Sequence, residues 1–290
     1  MSARIRPARP ADIEPVCALL NEKMNRKIAP ERWARLMTYD WLAEKPDLGR
    51  VVEADGQVLG YVGMVYADRA VPGADGPRSE RTVNICAWYL DKSLRGQGLG
   101  TAMMAEATDD PALTYDIMTS SKNTLQILDD VGYTVLDDHR FVWRKSTAEQ
   151  GAIKITEDPA TIRRHIEAAE HKLLDDMAGL PAKPLLLEAG GAQSLLFVSI
   201  KRKAGDVLWY DILHASDGTH LSANAQGLAD ALLPDGTAQL AADCRFAPHP
   251  PPGAERQRLP VPRFVKTTRM AHHEVDHLYT ELQLLDLKLD

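Results

Sequence analysis

Arg95-Gly96-Gln97-Gly98-Leu99-Gly100 stands directly after a run of β-formers, Thr82 to Leu90, and directly before a stretch that reads as a helix, Gly100 to Thr108. Three glycines at a strand-to-helix turn constrain what this chain can be more than any other feature. Glycine allows φ values that turn successive backbone N–H groups inward, and without Cβ atoms an anion can approach the chain closely. The following helix brings unpaired N–H groups and its positive dipole end to the same spot. The turn therefore reads as a pyrophosphate cradle over residues 96 to 101, with Thr101 offering a hydroxyl and Lys92 and Arg95 local positive charge. The plain alternative is a tight turn that binds nothing. A dinucleotide fingerprint fails, because its glycine spacing is absent and it belongs near the start of a βαβ unit, with an acidic residue roughly 20 positions on. A Walker loop fails for want of G-K-[ST].

An anion cradle must be local here, because the net charge of −7 argues against general nucleic-acid or anionic-membrane binding. Hydrophobic residues at 44% and charged residues at 26% are the mix of an ordinary globular protein. No run approaches the ~18 to 20 apolar residues of a membrane span, and the proline-broken start lacks a signal peptide's apolar stretch, so a cytoplasmic protein is expected. Cys17, Cys86 and Cys244 are widely spaced with no C-x-x-C, which points to buried thiols rather than disulfides or a zinc site.

Along the chain, a strand at Ala3 to Arg6 leads to a helix opening at Pro10-Ala11-Asp12, then a second helix from Pro30 with Trp33, Leu36, Met37 and Trp41 on its apolar side. Strands 51–54 and 57–66 flank Asp55-Gly56, a dipeptide suited to a two-residue hairpin turn. A loop at 72–80, the strand Thr82 to Leu90, the glycine turn, strand 113–118, helix 123–130 and strands 133–136 and 140–144 complete a first half, residues 1–146. The polar run 145–151 marks the expected boundary with a second domain, 147–290. There a helix from Asp158-Pro159 to about Met177, a hairpin over 185–203, strand 207–214, helix 222–233 and strand 239–246 repeat the earlier order. The second half reads as a degenerate copy without the glycine turn, or else an accessory domain. Pro248 to Gly253 is a stiff connector, and the alternation in HLYTELQLLDL predicts a last strand.

The pattern [RQ]-x-x-G-x-[GA], met by Arg95, Gly98 and Gly100, together with Trp88 to Leu94 before it and Asn123 and Gly132-Tyr133 after it, resembles the GNAT acyl-CoA N-acyltransferases. The resemblance covers about residues 3–145, and the bipartite build is similar to GNAT proteins of bacterial surface-polysaccharide synthesis. It implies an α/β (α+β) fold with a mixed, mostly antiparallel sheet flanked by helices. It also implies acetyl-CoA as co-substrate, pyrophosphate on the amides of residues 96 to 101, pantetheine against Trp88 and Leu90, the thioester near residues 86 to 88, and Asn123 close to it. The expected activity is transfer of an acetyl group to a primary amine of a small acceptor such as an amino sugar or sugar nucleotide.

In this class a neutral amine attacks the thioester, a base takes the ammonium proton and an acid protonates the thiolate. Many relatives place a tyrosine four residues before the glycine of the GF segment, where this chain has Leu128, and no carboxylate lies on strand 82–90, only Asn84 and Cys86. Asp116 and Tyr115 on the next strand, with Glu80 and His139 further back, remain for proton handling. Asp116 reads more readily as a structural carboxylate, and Cys86 as a small core residue rather than a nucleophile. These absences motivate a second reading, a non-catalytic acyl-CoA-binding or sensing module.

His273-Glu274-Val275-Asp276-His277 spells H-E-x-x-H, which on a helix binds zinc. Its alternating flank predicts a strand, which would set the two histidines about 13 Å apart. No metal site is expected.

Overall fold

The computed structural model of the chain describes residues 3–73, 76–146, 153–247 and 250–289. The chain divides into two compact units: Met1–Thr134 with Arg263–Met270 and Tyr279–Leu287, and Val135–Pro262 with Ala271–Leu278 and Lys288–Asp290. No helix among the described residues is long and apolar enough to cross a membrane.

In the first unit, β1 (Arg4–Pro7) precedes α1 (Ile13–Lys23) and α2 (Pro30–Thr38). α1 buries Val16, Cys17, Leu19 and Leu20; α2 buries Trp33, Leu36 and Met37 as predicted, but it ends at Thr38, so Trp41 lies beyond it. Strands β2 (Arg50–Ala54) and β3 (Gln57–Val71) then form a hairpin. Its turn residues Asp55 and Gly56 have φ of 51° and 76°, as a tight turn between twisted strands demands. β4 (Arg78–Leu90), α3 (Leu99–Ala107), β5 (Thr114–Ile117) and α4 (Leu125–Asp130) follow. Neighbouring strands are antiparallel from β1 to β4, and β4 and β5 are parallel. One core beneath them gathers Val62, Ile85, Met103, Met104, Tyr115 and Leu128.

In the second unit lie β6 (Thr134–Trp143, from Val135 onward), β7 (Lys154–Thr156), α5 (Pro159–Arg163), α6 (Ala168–Asp176), β8 (Lys183–Ala189), β9 (Ala192–Arg202), β10 (Leu208–Ala215), α7 (Gly218–Leu232) and β11 (Ala238–Asp243). The pairings repeat those of the first unit: β7, β8, β9 and β10 antiparallel in turn, then β10 parallel to β11. Even the hairpin turn recurs, with Gly190 and Gly191 at φ of 59° and 82°. What differs is the turn into α7, where Asp217 caps the helix by accepting from the His220 N–H, a satisfied end with no glycine pair.

The strand beside the parallel pair comes from an unexpected part of the chain in each unit. β6 pairs antiparallel with β11, whereas β12 (Glu255–Lys266) pairs with β5 through Phe264–Lys266. A simple division near residue 146 therefore does not describe the units, and residues 147–151 of the expected boundary lie outside the described residues. β12 carries Pro260 and Pro262, which remove ladder donors and hide a strand from pattern reading. The single helix expected over 158–177 is two, because Glu167 starts a new one. The two strands expected over 133–144 are one. The last strand expected over 277–287 is instead a turn and the short helix α8 (Glu281–Leu284), which Thr280 caps by accepting from the Leu282 N–H. The alternation misleads there because residues 277–285 are buried on every side.

H-E-x-x-H also resolves structurally. His272–Glu274 form a single 3-10 turn, and His277 is fully buried with Nε2 2.9 Å from Asp243 and 3.0 Å from the Arg245 guanidinium. Arg245 is itself wholly buried, and it is held by Asp137 and by the Val275 carbonyl at 2.6 Å. Replacing Asp137 with alanine leaves that guanidinium without its main counter-charge, so urea unfolding of Asp137→Ala should show a loss of about 3–5 kcal/mol. A loss below about 1 kcal/mol would mean the pair is not structurally required.

Candidate active site

Parallel strands β4 and β5 are paired only over Thr82–Asn84 against Thr114–Asp116. Beyond that point they part. Gly63 faces Cys86 and Tyr61 faces Tyr89, so β4 holds one residue more than β3 between those pairs. This is a β-bulge, and it leaves a residue without ladder partners and bends the strand. Ala87 in the bulge has φ of 47°, a left-handed conformation that L-residues with a Cβ seldom adopt. Opposite it, Gly63 is required: a Cβ there would lie 2.8 Å from Cys86 Sγ.

The parting opens a cleft of about 250 Å³. Its walls are Ile85 to Trp88 on one side and Ile117 and Thr119 to Ser121 on the other, with Met104 and Leu128 among the apolar groups and Thr124 at the polar end. The glycine turn begins a few residues beyond the end of β4 at Leu90. Gly96 and Gly98 both have φ of 77°, and a Cβ on either would meet nothing within 4 Å, so the space over the turn is open. Gly98 is the N-cap of α3 and supplies no side-chain cap, which leaves first-turn N–H groups for an external acceptor. Backbone, conformation and open space thus fit a phosphate group.

Other predicted residues fall in various places. Trp88 lines the cleft. Leu90 is buried in the core, and its carbonyl accepts from Arg95 Nε at 2.9 Å, so Arg95 braces the turn as well as charging it. Gln97 bonds the Ser93 carbonyl, and Gly100 sits near the Trp88 ring. Leu99 and Thr101 are half-buried in the first turn of α3. Asn123 is exposed on the 3-10 turn Lys122–Thr124, whose neighbours Ser121 and Thr124 line the cleft.

Tyr115 points to the core, where its hydroxyl accepts from the Asp110 N–H at 3.3 Å and burial pushes its pKa up to about 12. Asp116 is buried away from the cleft wall and accepts from Asn84 Nδ2 at 2.7 Å. Glu80 is clamped by Arg269 and Arg78, which hold its carboxyl below the usual range. His139 belongs to the second unit.

One group that pattern reading missed stands beside these. Glu281, the first residue of α8, is wholly buried in the first unit. Its Oε1 accepts from the Thr119 hydroxyl at 2.7 Å, and its backbone N–H donates to Asn84 Oδ1 at 3.1 Å. Burial, opposed by the Thr119 bond, pushes its pKa up to about 7. The available signal was one carboxylate inside the alternating run Leu278 to Leu285.

Residues 15–112 match the acetyltransferase (GNAT) family model. A GCN5-related N-acetyltransferase from Anabaena variabilis has a similar structure, with TM-score 0.56 at 10% identity over 91% of this chain and 72% of that one. One from Kribbella flavida gives 0.51 at 12% identity, over 92% and 72%. Eis1 from Mycobacterium abscessus gives 0.50 at 13%, over 92% and 73%. At such identities the likeness is one of fold. No curated protein matches the sequence significantly.

Cys86, on the cleft wall, has its thiol pushed well above the ordinary value, by burial first and by Glu281 and Asp116 next. Burial likewise raises Cys17 to about 11 and Cys244 to about 12. Iodoacetamide at pH 8 should therefore alkylate the native protein slower than the unfolded chain by on the order of 10-fold or more, since only thiolate reacts. Fast labelling of Cys86 would place a reactive thiolate in the cleft instead.

Proposed function

We propose, for a chain whose residues 15–112 belong to the GNAT acetyltransferase family, that the cleft between β4 and β5 moves an acetyl group from acetyl-CoA to the primary amine of a small acceptor in the cytoplasm. The observation that carries this reading is the parting of the two strands directly beside an open, uncapped glycine turn. The N–H groups of Gly96 to Thr101 hold the pyrophosphate, and Lys92 and Arg95 add charge. The Ala87–Trp88 bulge, unpaired with β3, takes the pantetheine arm, and a backbone N–H of the bulge polarises the thioester carbonyl. Met104, Ile117 and Leu128 give the acyl group an apolar wall that keeps water from the thioester. Asn123 stands at the entrance. The hydroxyls of Thr119, Ser120, Ser121 and Thr124 are neutral and polar, which suits a polyhydroxyl acceptor such as an amino sugar or its nucleotide.

A second reading, acyl-CoA binding without transfer, rests on Leu128, which offers no proton to a departing thiolate from the wall it lines. Release of free thiol on adding amines separates the two.

Acetyl-CoA at about 100 times its Kd should stabilise the native protein by roughly 2.7 kcal/mol, several degrees in Tm. Gly98→Val should show no shift, because its φ of 77° disfavours a β-branched residue and the side chain would project into the phosphate space. An equal shift in both proteins would move the cofactor away from the glycine turn.

A further inference from the structure

We propose that Glu281 receives the proton of the attacking amine through the hydroxyl of Thr119, which makes this late segment part of the machinery for acyl transfer. The inference rests on the acetyltransferase reading above and supplies the proton acceptor that β4 lacks. Thr119 is exposed, lines the cleft and donates to Glu281 Oε1 at 2.7 Å, so one hydroxyl touches both the substrate space and a buried carboxylate. The Glu281 N–H is pinned to Asn84 Oδ1 at 3.1 Å, and Asn84 is in turn held on Asp116 at 2.7 Å. The carboxylate is thus anchored to the two strands that form the cleft. Its other oxygen, Oε2, is buried and has no hydrogen-bond partner among the described residues. Burial, the largest influence, favours the protonated form of this carboxyl, and the hydrogen bonds of Thr119, its own backbone and Asn84 oppose it.

The titratable and charged groups that act on it are Cys86 on β4 and Arg263 on β12, whose Nη1 donates to the Met118 carbonyl at 2.8 Å, while Asp116 on β5 is bonded to Asn84 instead. Arg263 favours the carboxylate, burial opposes it, and burial is the larger influence. The resulting value of about 7 suits a base working near neutrality.

The amine lone pair forms a C–N bond to the thioester carbon, and the C–S bond then breaks with its electron pair on sulfur. One proton leaves the new ammonium for Thr119 Oγ1 as the Thr119 proton passes to Glu281. Water protonates the thiolate, and Glu281 returns its proton to solvent by the same route.

Glu281→Gln keeps an oxygen for Thr119 and removes the basicity. With a saturating amine and acetyl-CoA, its kcat should fall on the order of 100-fold with KM for acetyl-CoA unchanged. The native kcat should fall as pH drops through about 7, where Glu281 becomes protonated, and this limb should vanish in the variant. Thr119→Val, at an exposed position, should lose as much, and Thr119→Ser should recover most of it. A Glu281→Gln or Thr119→Val enzyme within about threefold of native kcat, with the acid limb intact, overturns the proposal. Acetyl-CoA binding, read by Tm, does not depend on Glu281. If the native protein fails to bind it, the acyltransfer reading falls and the proton relay with it. Binding with turnover indifferent to Glu281 overturns the relay alone.

Discussion

Strands β4 and β5 share a parallel ladder of three residues and then separate, and the rest of the site depends on that separation. Its cause is local. An extra residue in β4 forces a bulge, Ala87 takes a left-handed φ of 47° within it, and Gly63 opposite has no Cβ to strike Cys86. The bulge lies in the β3–β4 ladder, and its residues Ala87 and Trp88 line the cleft on the β5 side. The second unit shows the contrast. It repeats the strand order and the parallel pair, but its helix after β10 begins with an aspartate cap that accepts from the His220 N–H in place of a glycine turn.

Topology also delivers the chemistry that β4 does not hold. The strand beside β5 is β12, from late in the sequence, and Tyr279–Leu287 returns to the same unit. Glu281 therefore reaches Asn84, 197 positions earlier. A carboxylate at this depth is costly, and burial raises its proton affinity into the neutral range. The thiol of Cys86, under the same burial, moves the other way for reactivity and stays protonated. One environment thus raises both groups, bringing the carboxyl toward neutrality and carrying the thiol away from it.

Local signals in the sequence were enough to read most of the first unit. The Asp55-Gly56 turn, the helix started by Pro30 and the glycine turn between β4 and α3 are short-range features, in which neighbouring residues carry the whole physical reason. Long-range features were not legible. β12 is disguised by two prolines, and pairing with neighbouring strands, β5 among them, makes it a strand. α8 sits in an alternating run that is buried on all sides, so alternation carried no information about its faces. Glu281 could not be assigned without that placement. Tyr115 and Asp116 illustrate the same limit: strand membership was readable, but which side faced core or cleft was set by the neighbouring strands.

The most direct measurement is an experimental structure with acetyl-CoA bound. The pyrophosphate should lie on the N–H groups of residues 96–101, the pantetheine should run between β4 and β5, and the acetyl carbonyl should sit at the Ala87 bulge within reach of Thr119. A ligand bound anywhere else, or a cleft that closes with β4 and β5 paired past Asn84, would contradict the assignment.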